Sequence, residues 1–411
     1  MAGLVIIGAS YAGTQLALAA RANGFAGSIT MIGAEPHAPY QRPPLSKGFL
    51  CDAVDASSLP LQSPERFLEE RIALRTGVTA SGIDRQAQVV SLSDGSRLHY
   101  DALALTTGAR CRPLPCAGAQ LRHVYYLRDL ADAYEIKARA RQARHAVVVG
   151  GGFIGLEVAA SLRTLGLDVT VIELQERLLQ RAVPPLISTF LQQAHEEEGV
   201  RFRLATCIRQ LRGNDVVTGV ELETGEILPT DMVVAGLGVM PNVELAEACS
   251  LTVDNGIVVD RFARTSDPAI VAAGDCAAYP NPWAPGSTLG GRCVRVESIQ
   301  SANDLAKVAG ATVAGRLSPY EAVPWFWSDQ YGYKLQMTGF SAGHDQAVVR
   351  GNVAAGRFTA LYLKDGTVVG AHSVNRPQDH MAARRLVAAR VRPDPAVLAD
   401  EAVALKSLLS A

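Results

Sequence analysis

Short apolar runs recur along the first two-thirds of this chain, each bounded by glycine or polar residues. Residues 4–7, 28–32, 101–105, 146–149, 168–172 and 232–235 are too short for buried helices, and most are rich in β-branched side chains. Such unbroken runs predict strands covered on both faces. A further apolar run lies within residues 265–275 and ends in Gly274-Asp275. From about residue 319 the pattern changes. Alternating segments at 358–363 and 368–371 surround turn pairs such as Asp365-Gly366, and helical spacing resumes from Asp379 to about Val391. The patterns predict an α/β chain that ends in a small α+β domain.

Two of the strands run straight into glycine-rich loops: Gly8-Ala9-Ser10-Tyr11-Ala12-Gly13 and Gly150-Gly151-Gly152-Phe153-Ile154-Gly155. Between a strand and a helix, such a loop turns tightly and brings the backbone close to a pyrophosphate at the helix N-terminus. One loop of this kind also arises for structural reasons alone. Two, each followed by a second strand that ends near a carboxylate (Glu35, Glu173), point to two Rossmann-like dinucleotide-binding domains that exchange electrons. Gly8, Ser10, Ala12 and Gly13 are the contacts expected in the first, and Gly150, Gly152, Ile154 and Gly155 in the second. Ser10 replaces the middle glycine and is small enough to admit a phosphate.

The first domain is expected to comprise residues 1–113 and 239–318, the second 114–238 and the last 319–411. Three distant pieces surround the first nucleotide: the 8–13 loop, the turn Thr106-Thr107-Gly108 and Gly274-Asp275. A cofactor held this way stays bound, as FAD does. Asp275 could accept hydrogen bonds from its ribityl chain, cap the next helix, or both. In the second domain Glu173 stands 23 positions after Gly150. A carboxylate there binds ribose hydroxyls and repels a 2′-phosphate, which favours NADH over NADPH. Arg177, four residues on, could soften that choice. The strand at 232–235 closes into Gly236-Leu237-Gly238. Adjacent prolines at 43 and 44 predict that the loop from Pro39 to Lys47 is extended along a ligand.

Composition removes several alternatives. Lys and Arg number 39 against 40 Asp and Glu, so no global charge draws the chain to nucleic acid or membrane. The apolar N-terminus is a strand rather than a signal peptide, and no stretch has the length and polarity of a membrane span. Seven scattered cysteines suit a reducing cytoplasm. Cys111 and Cys116 flank Pro113 and Pro115 in an irregular segment and do not read as a redox pair.

Together with the loops, Arg42-Pro43-Pro44-Leu45-Ser46-Lys47, Leu127-Arg128, Gly155-Leu156-Glu157, Gly238-Val239-Met240-Pro241-Asn242, Arg295-Val296-Glu297-Ser298 and Pro324-Trp325-Phe326-Trp327-Ser328-Asp329-Gln330 carry a resemblance. Over essentially its whole length the chain resembles flavoprotein reductases of the glutathione-reductase fold. More narrowly, it resembles the NADH-dependent ferredoxin reductases of Rieske dioxygenase and cytochrome P450 systems. The resemblance implies that Glu35 binds the adenosine ribose of FAD, that Ala80 lies near the adenine, and that Arg42 and Arg128 contact the cofactor. The family often has its acid one position before Glu35. The resemblance further implies that Asp275 holds the ribityl end, that Ile299 after Glu297-Ser298 meets the ring, and that Trp327 sits at the flavin edge.

In the disulfide-reducing branch a cysteine pair occupies the place of Pro43 and Pro44, and Cys51 stands alone beyond it. The implied activity is therefore direct transfer from NADH through FAD to a [2Fe–2S] ferredoxin, with no metal site. Lys47 and Glu157 are the candidate catalytic charges, predicted to pair beside flavin N5. A rubredoxin reductase, an NADH oxidase and an NADH-sensing flavoprotein are the alternatives, and a monomer or weak dimer is expected. Residues 319–411 carry ten Lys or Arg against eight Asp or Glu. Lys334 among them, with Arg292 and Arg295, is expected to help offer an acidic ferredoxin a mildly basic face.

Overall fold

Strands without a polar face pair where both sides can be covered, and the first half of the chain does this twice. A computed structural model describes residues 3–285 and 293–409. Its first parallel sheet runs Ile270–Ala272, Ala102–Leu105, Gly3–Ile7, Ser28–Gly33, Ile72–Thr76. The second, also parallel, runs Arg201–Arg203, Asp168–Ile172, His145–Val149, Met232–Ala235, Val124–Tyr126. In each, the strand that feeds a glycine loop is central. This is the doubly wound arrangement, with ligands expected beyond the carboxyl ends of the strands. The antiparallel ribbon of Ala109–Cys111 with Val239–Pro241 carries the chain between the two sheets.

The last sheet is antiparallel: Trp325–Gln330, Tyr333–Gly339, Thr367–Val374, Arg357–Lys364, Gln346–Asn352. Asp365 and Gly366 both have positive φ (47° and 74°), the geometry of a two-residue hairpin turn. Helix Pro377–Ala388 packs on this sheet, starting at a proline and ending before Val391. Leu335, Phe358 and Val374 bury against Leu156, Ile187, Phe190 and Leu191 of the second nucleotide unit. Each such side chain contributes about 1.5–3 kcal/mol when fully buried.

Two expectations need correction. The diproline loop is not extended, because Pro43–Ser46 forms a turn of 3-10 helix. Proline fixes φ near the helical value, and a first turn does not need its missing N–H. Nor does Asp275 cap a helix, since the next element is the strand Ala277–Pro280.

Candidate functional site

Both glycine loops show the same backbone. Gly8 has φ 117°, and a Cβ there would stand 2.1 Å from the Thr106 carbonyl oxygen. Gly150 has φ 106°, and a Cβ there would stand 2.4 Å from the Gly236 oxygen. At Gly13 and Gly155 a Cβ would lie 2.0 Å from the oxygens of Gly8 and Gly150 respectively, so each loop closes on its own helix. The helices that follow, Tyr11–Ala22 and Phe153–Thr164, have no side-chain cap bond and no acid in the first turn. Their N-terminal amides and positive dipole ends are left for an anion, which is what a dinucleotide pyrophosphate needs. A Cβ at Gly152 would meet nothing nearer than the Gly236 oxygen at 4.0 Å, so a serine fits at the matching Ser10.

Around the first loop, residues scattered over most of the sequence link up. Glu35 accepts hydrogen bonds from the Tyr40 hydroxyl and the Arg42 guanidinium. Burial, the largest cause, raises the Tyr40 pKa well above its usual value and keeps the phenol a donor. Arg42 Nη1 also donates to the Arg128 carbonyl at 2.5 Å, and Arg128 Nη2 pairs with Asp275 Oδ2 at 3.0 Å. A Cβ on Gly108 would come within 3.5 Å of Arg128 Nη2. Thr107 Oγ1 donates to the Asn242 carbonyl at 2.6 Å, and Asn242 Nδ2 returns a bond to the Thr107 oxygen at 2.9 Å. Glu297 is exposed and pairs with Arg295 at 2.6 Å, and Arg295 reaches the Asp275 carbonyl at 3.4 Å. Ile299 opens the helix Ile299–Val313, and half-buried Ala80 opens the strand Ala80–Asp84 without joining these bonds.

The second site is built locally. Glu173 accepts from the Gly151 N–H at 2.6 Å through Oε2 and from the Gln175 N–H at 2.8 Å through Oε1. Arg177 is tied to the carbonyls of Val183 and Gln180 and to Ser188 Oγ, at 2.7, 2.9 and 2.7 Å, so its guanidinium is already engaged. Ile154 and Leu174 leave apolar side chains exposed near the loop. Gly238 has φ 82° and open space where a Cβ would be.

Lys47 and Glu157, 110 residues apart, meet between the two units with Nζ 2.6 Å from Oε2. Glu157 is only 3% exposed. It also accepts from Ser46 Oγ on Oε2 and from Ser328 Oγ on Oε1, both at 2.6 Å. Trp327 is half-buried beside Ser328, with its ring 5.4 Å from that of Trp325.

Residues 2–306 match the family model described as pyridine nucleotide-disulphide oxidoreductase, and residues 325–409 match that described as reductase C-terminal. The chain belongs to the pyridine nucleotide-disulphide oxidoreductase family. It is 45% identical to rhodocoxin reductase of Rhodococcus erythropolis, over 98% of this chain and 93% of that one. The crystal structure of a ferredoxin reductase from Rhodopseudomonas palustris superposes with a TM-score of 0.95 at 40% identity, covering 99% of each chain. That of a covalent putidaredoxin reductase–putidaredoxin complex does so with 0.94 at 39% identity, covering 100% of this chain and 98% of the other.

No thiol lies in the diproline turn, and all seven cysteines are free. Cys51, beyond the turn, donates weakly to the Ser161 carbonyl at 3.7 Å, and burial pushes its thiol pKa up. Arg295 is 9% exposed and fully engaged, so it does not contribute to a basic face, whereas Lys334 is exposed; Arg292 lies outside the described residues. Among the described residues no cluster of His, Cys, Asp or Glu could hold a metal, and no helix is long and apolar enough to cross a membrane. Tyr40, Ser46 and Ser328 were not expected from sequence. The signal available was position alone: Ser46 stands in the turn beside Lys47, and Ser328 in the tryptophan-rich segment Pro324–Gln330.

Proposed function

We propose that this protein is an NADH:ferredoxin oxidoreductase with tightly bound FAD, which passes electrons to a [2Fe–2S] ferredoxin serving a Rieske oxygenase or a cytochrome P450. The observation that carries the reading is the thiol-free Pro43–Ser46 turn that delivers Lys47 to Glu157 between the two nucleotide loops. The segmentation into 1–113 with 239–318, 114–238 and 319–411 belongs to the same proposal. FAD supplies the redox chemistry when bound, accepting two electrons from NADH and releasing them singly. The helix at Tyr11 holds its pyrophosphate, Glu35 its adenosine ribose, and Arg42, Arg128 and Asp275 the stretch toward the ring. Glu173 receives the ribose of NADH. Lys47 offers a cation beside N5, and Glu157 fixes that cation while balancing its charge.

Purified protein is expected to be yellow and to reduce cytochrome c with NADH only when a ferredoxin is added. Ferredoxin affinity is expected to fall as salt rises, because rim charges are screened. Transfer to rubredoxin alone, to oxygen alone, or a long-lived NADH complex without turnover would each replace this reading.

A further inference from the structure

The C-terminal domain reaches the Lys47–Glu157 pair through one buried line of hydrogen bonds. Ser328 Oγ lies 2.6 Å from Glu157 Oε1, and Gln330 Nε2 lies 3.0 Å from Ser328 Oγ. Gln330 Oε1 lies 2.8 Å from His195 Nε2, and the Tyr331 hydroxyl lies 3.5 Å from His195 Nδ1. Glu157, Ser328, Gln330 and His195 are all at most 3% exposed. The carboxylate fixes the direction of every bond. It only accepts, so Ser328 donates its single proton to it and is left to accept from the Gln330 amide. Reversing that amide would set two oxygens against each other. Gln330 Oε1 therefore faces the ring, His195 carries its proton on Nε2, and Nδ1 accepts from Tyr331. Burial, the largest cause, lowers the His195 pKa, which agrees with a neutral ring.

Every donor in this line points toward Glu157, and the line crosses from helix Pro185–Glu197 through strand Trp325–Gln330 to helix Phe153–Thr164. Ser46 and Lys47 hold one carboxylate oxygen, and among the described residues Ser328 alone holds the other. Without Ser328, Oε1 has no donor among the described residues and the carboxylate can turn about the Lys47 contact. We propose that Ser328 is a positioning residue for the Lys47–Glu157 charge pair, so the C-terminal domain shapes electron entry. This rests on the functional reading above, which places Lys47 beside the flavin.

The test uses FAD-loaded protein and compares Ser328→Ala, Ser328→Cys, Glu157→Gln and the double variant Ser328→Ala/Glu157→Gln. Flavin midpoint potentials come from dithionite titration with reference dyes, which needs no NADH, and flavin reduction by NADH is followed in a single turnover. Ser328→Ala is expected to displace the potential and to slow reduction roughly tenfold, the effect of one hydrogen bond to a charged group. Ser328→Cys, with a weak donor in the same place, is expected to fall between wild type and Ser328→Ala. In the Glu157→Gln background the further change at Ser328 should alter both quantities less, because a hydroxyl holds a neutral amide more weakly than a carboxylate. A wild-type potential and rate in Ser328→Ala, or equal displacement in both backgrounds, would overturn the proposal. If NADH fails to reduce the wild-type flavin, the functional reading falls, whereas the dithionite potentials still judge Ser328.

Discussion

The two glycine loops are near copies in backbone and opposites in what surrounds them. Gly8 and Gly150 differ by about 10° in φ, and each turns against a carbonyl from the neighbouring strand's end. Around the first, Glu35 and Arg42 share one loop, and Gly108, Arg128 and Asp275 come from three other, distant segments. Around the second, the side-chain polar contacts of Glu173 and Arg177 stay within residues 151–188. On the proposed reading, the same strand, loop and helix serve a cofactor that stays and one that leaves. The difference lies in how many distant pieces of chain the ligand ties together, because releasing the first would free many segments at once.

The strongest way to break that comparison is to damage both loops identically. Gly8→Ala and Gly150→Ala each force a side chain into positive φ and against a carbonyl, at about 3 kcal/mol or more. Gly8→Ala is expected to yield protein without flavin and with a lowered melting temperature. Gly150→Ala is expected to stay yellow but to resist reduction by NADH. If both lose flavin, measured by absorbance after gel filtration, the two sites do not act separately.

The charge pair between the sites comes next. Lys47→Met is expected to leave FAD bound and to slow its reduction by NADH about 10–100-fold, the scale of a lost bond to a charged group. It also leaves Glu157 buried with only the hydroxyls of Ser46 and Ser328. Stopped-flow rates equal to wild type would remove Lys47 from the mechanism.

What the sequence revealed follows from how each feature is encoded. The strands at 168–172 and 232–235 were legible to the residue, because a strand covered on both faces is an unbroken apolar run. The turn at Pro43–Ser46 was misread because proline fixes φ and leaves ψ to the surroundings. Glu157 came forward only through the family resemblance; alone it is one more glutamate near a helix start. Ser328 and Gln330 alternate with Trp327 and Asp329 as polar residues on a strand do, which gives no hint that they are buried. Their partners, Glu157 and His195, lie more than a hundred residues away, where no local pattern reaches.

Cofactor choice sharpens the comparison at the second site. Glu173 is fixed by two backbone N–H groups, and the Arg177 guanidinium is already engaged. NADH is therefore expected to be used far better than NADPH. Glu173→Ala should narrow the gap in kcat/KM by about 1–3 kcal/mol through lost hydroxyl bonds and relieved repulsion. Equal efficiency with both nucleotides in wild type would contradict the assignment.

The smallest effect is expected where the loops differ in sequence. Ser10 takes the place of Gly152, with φ −140°, a conformation open to any residue. Its side chain makes no capping bond to the helix that follows. The hydroxyl therefore adds little to the loop, and exchanging serine for glycine at an N-cap costs only a few tenths of a kcal/mol. Ser10→Gly is expected to keep its flavin and to shift stability by less than about 0.5 kcal/mol. The reverse change, Gly152→Ser, meets no atom nearer than 4.0 Å and should fold equally well. Both can be read from thermal melts and flavin content. Flavin loss in Ser10→Gly would show that the hydroxyl itself binds the pyrophosphate, and the two loops would then differ in chemistry as well as surroundings.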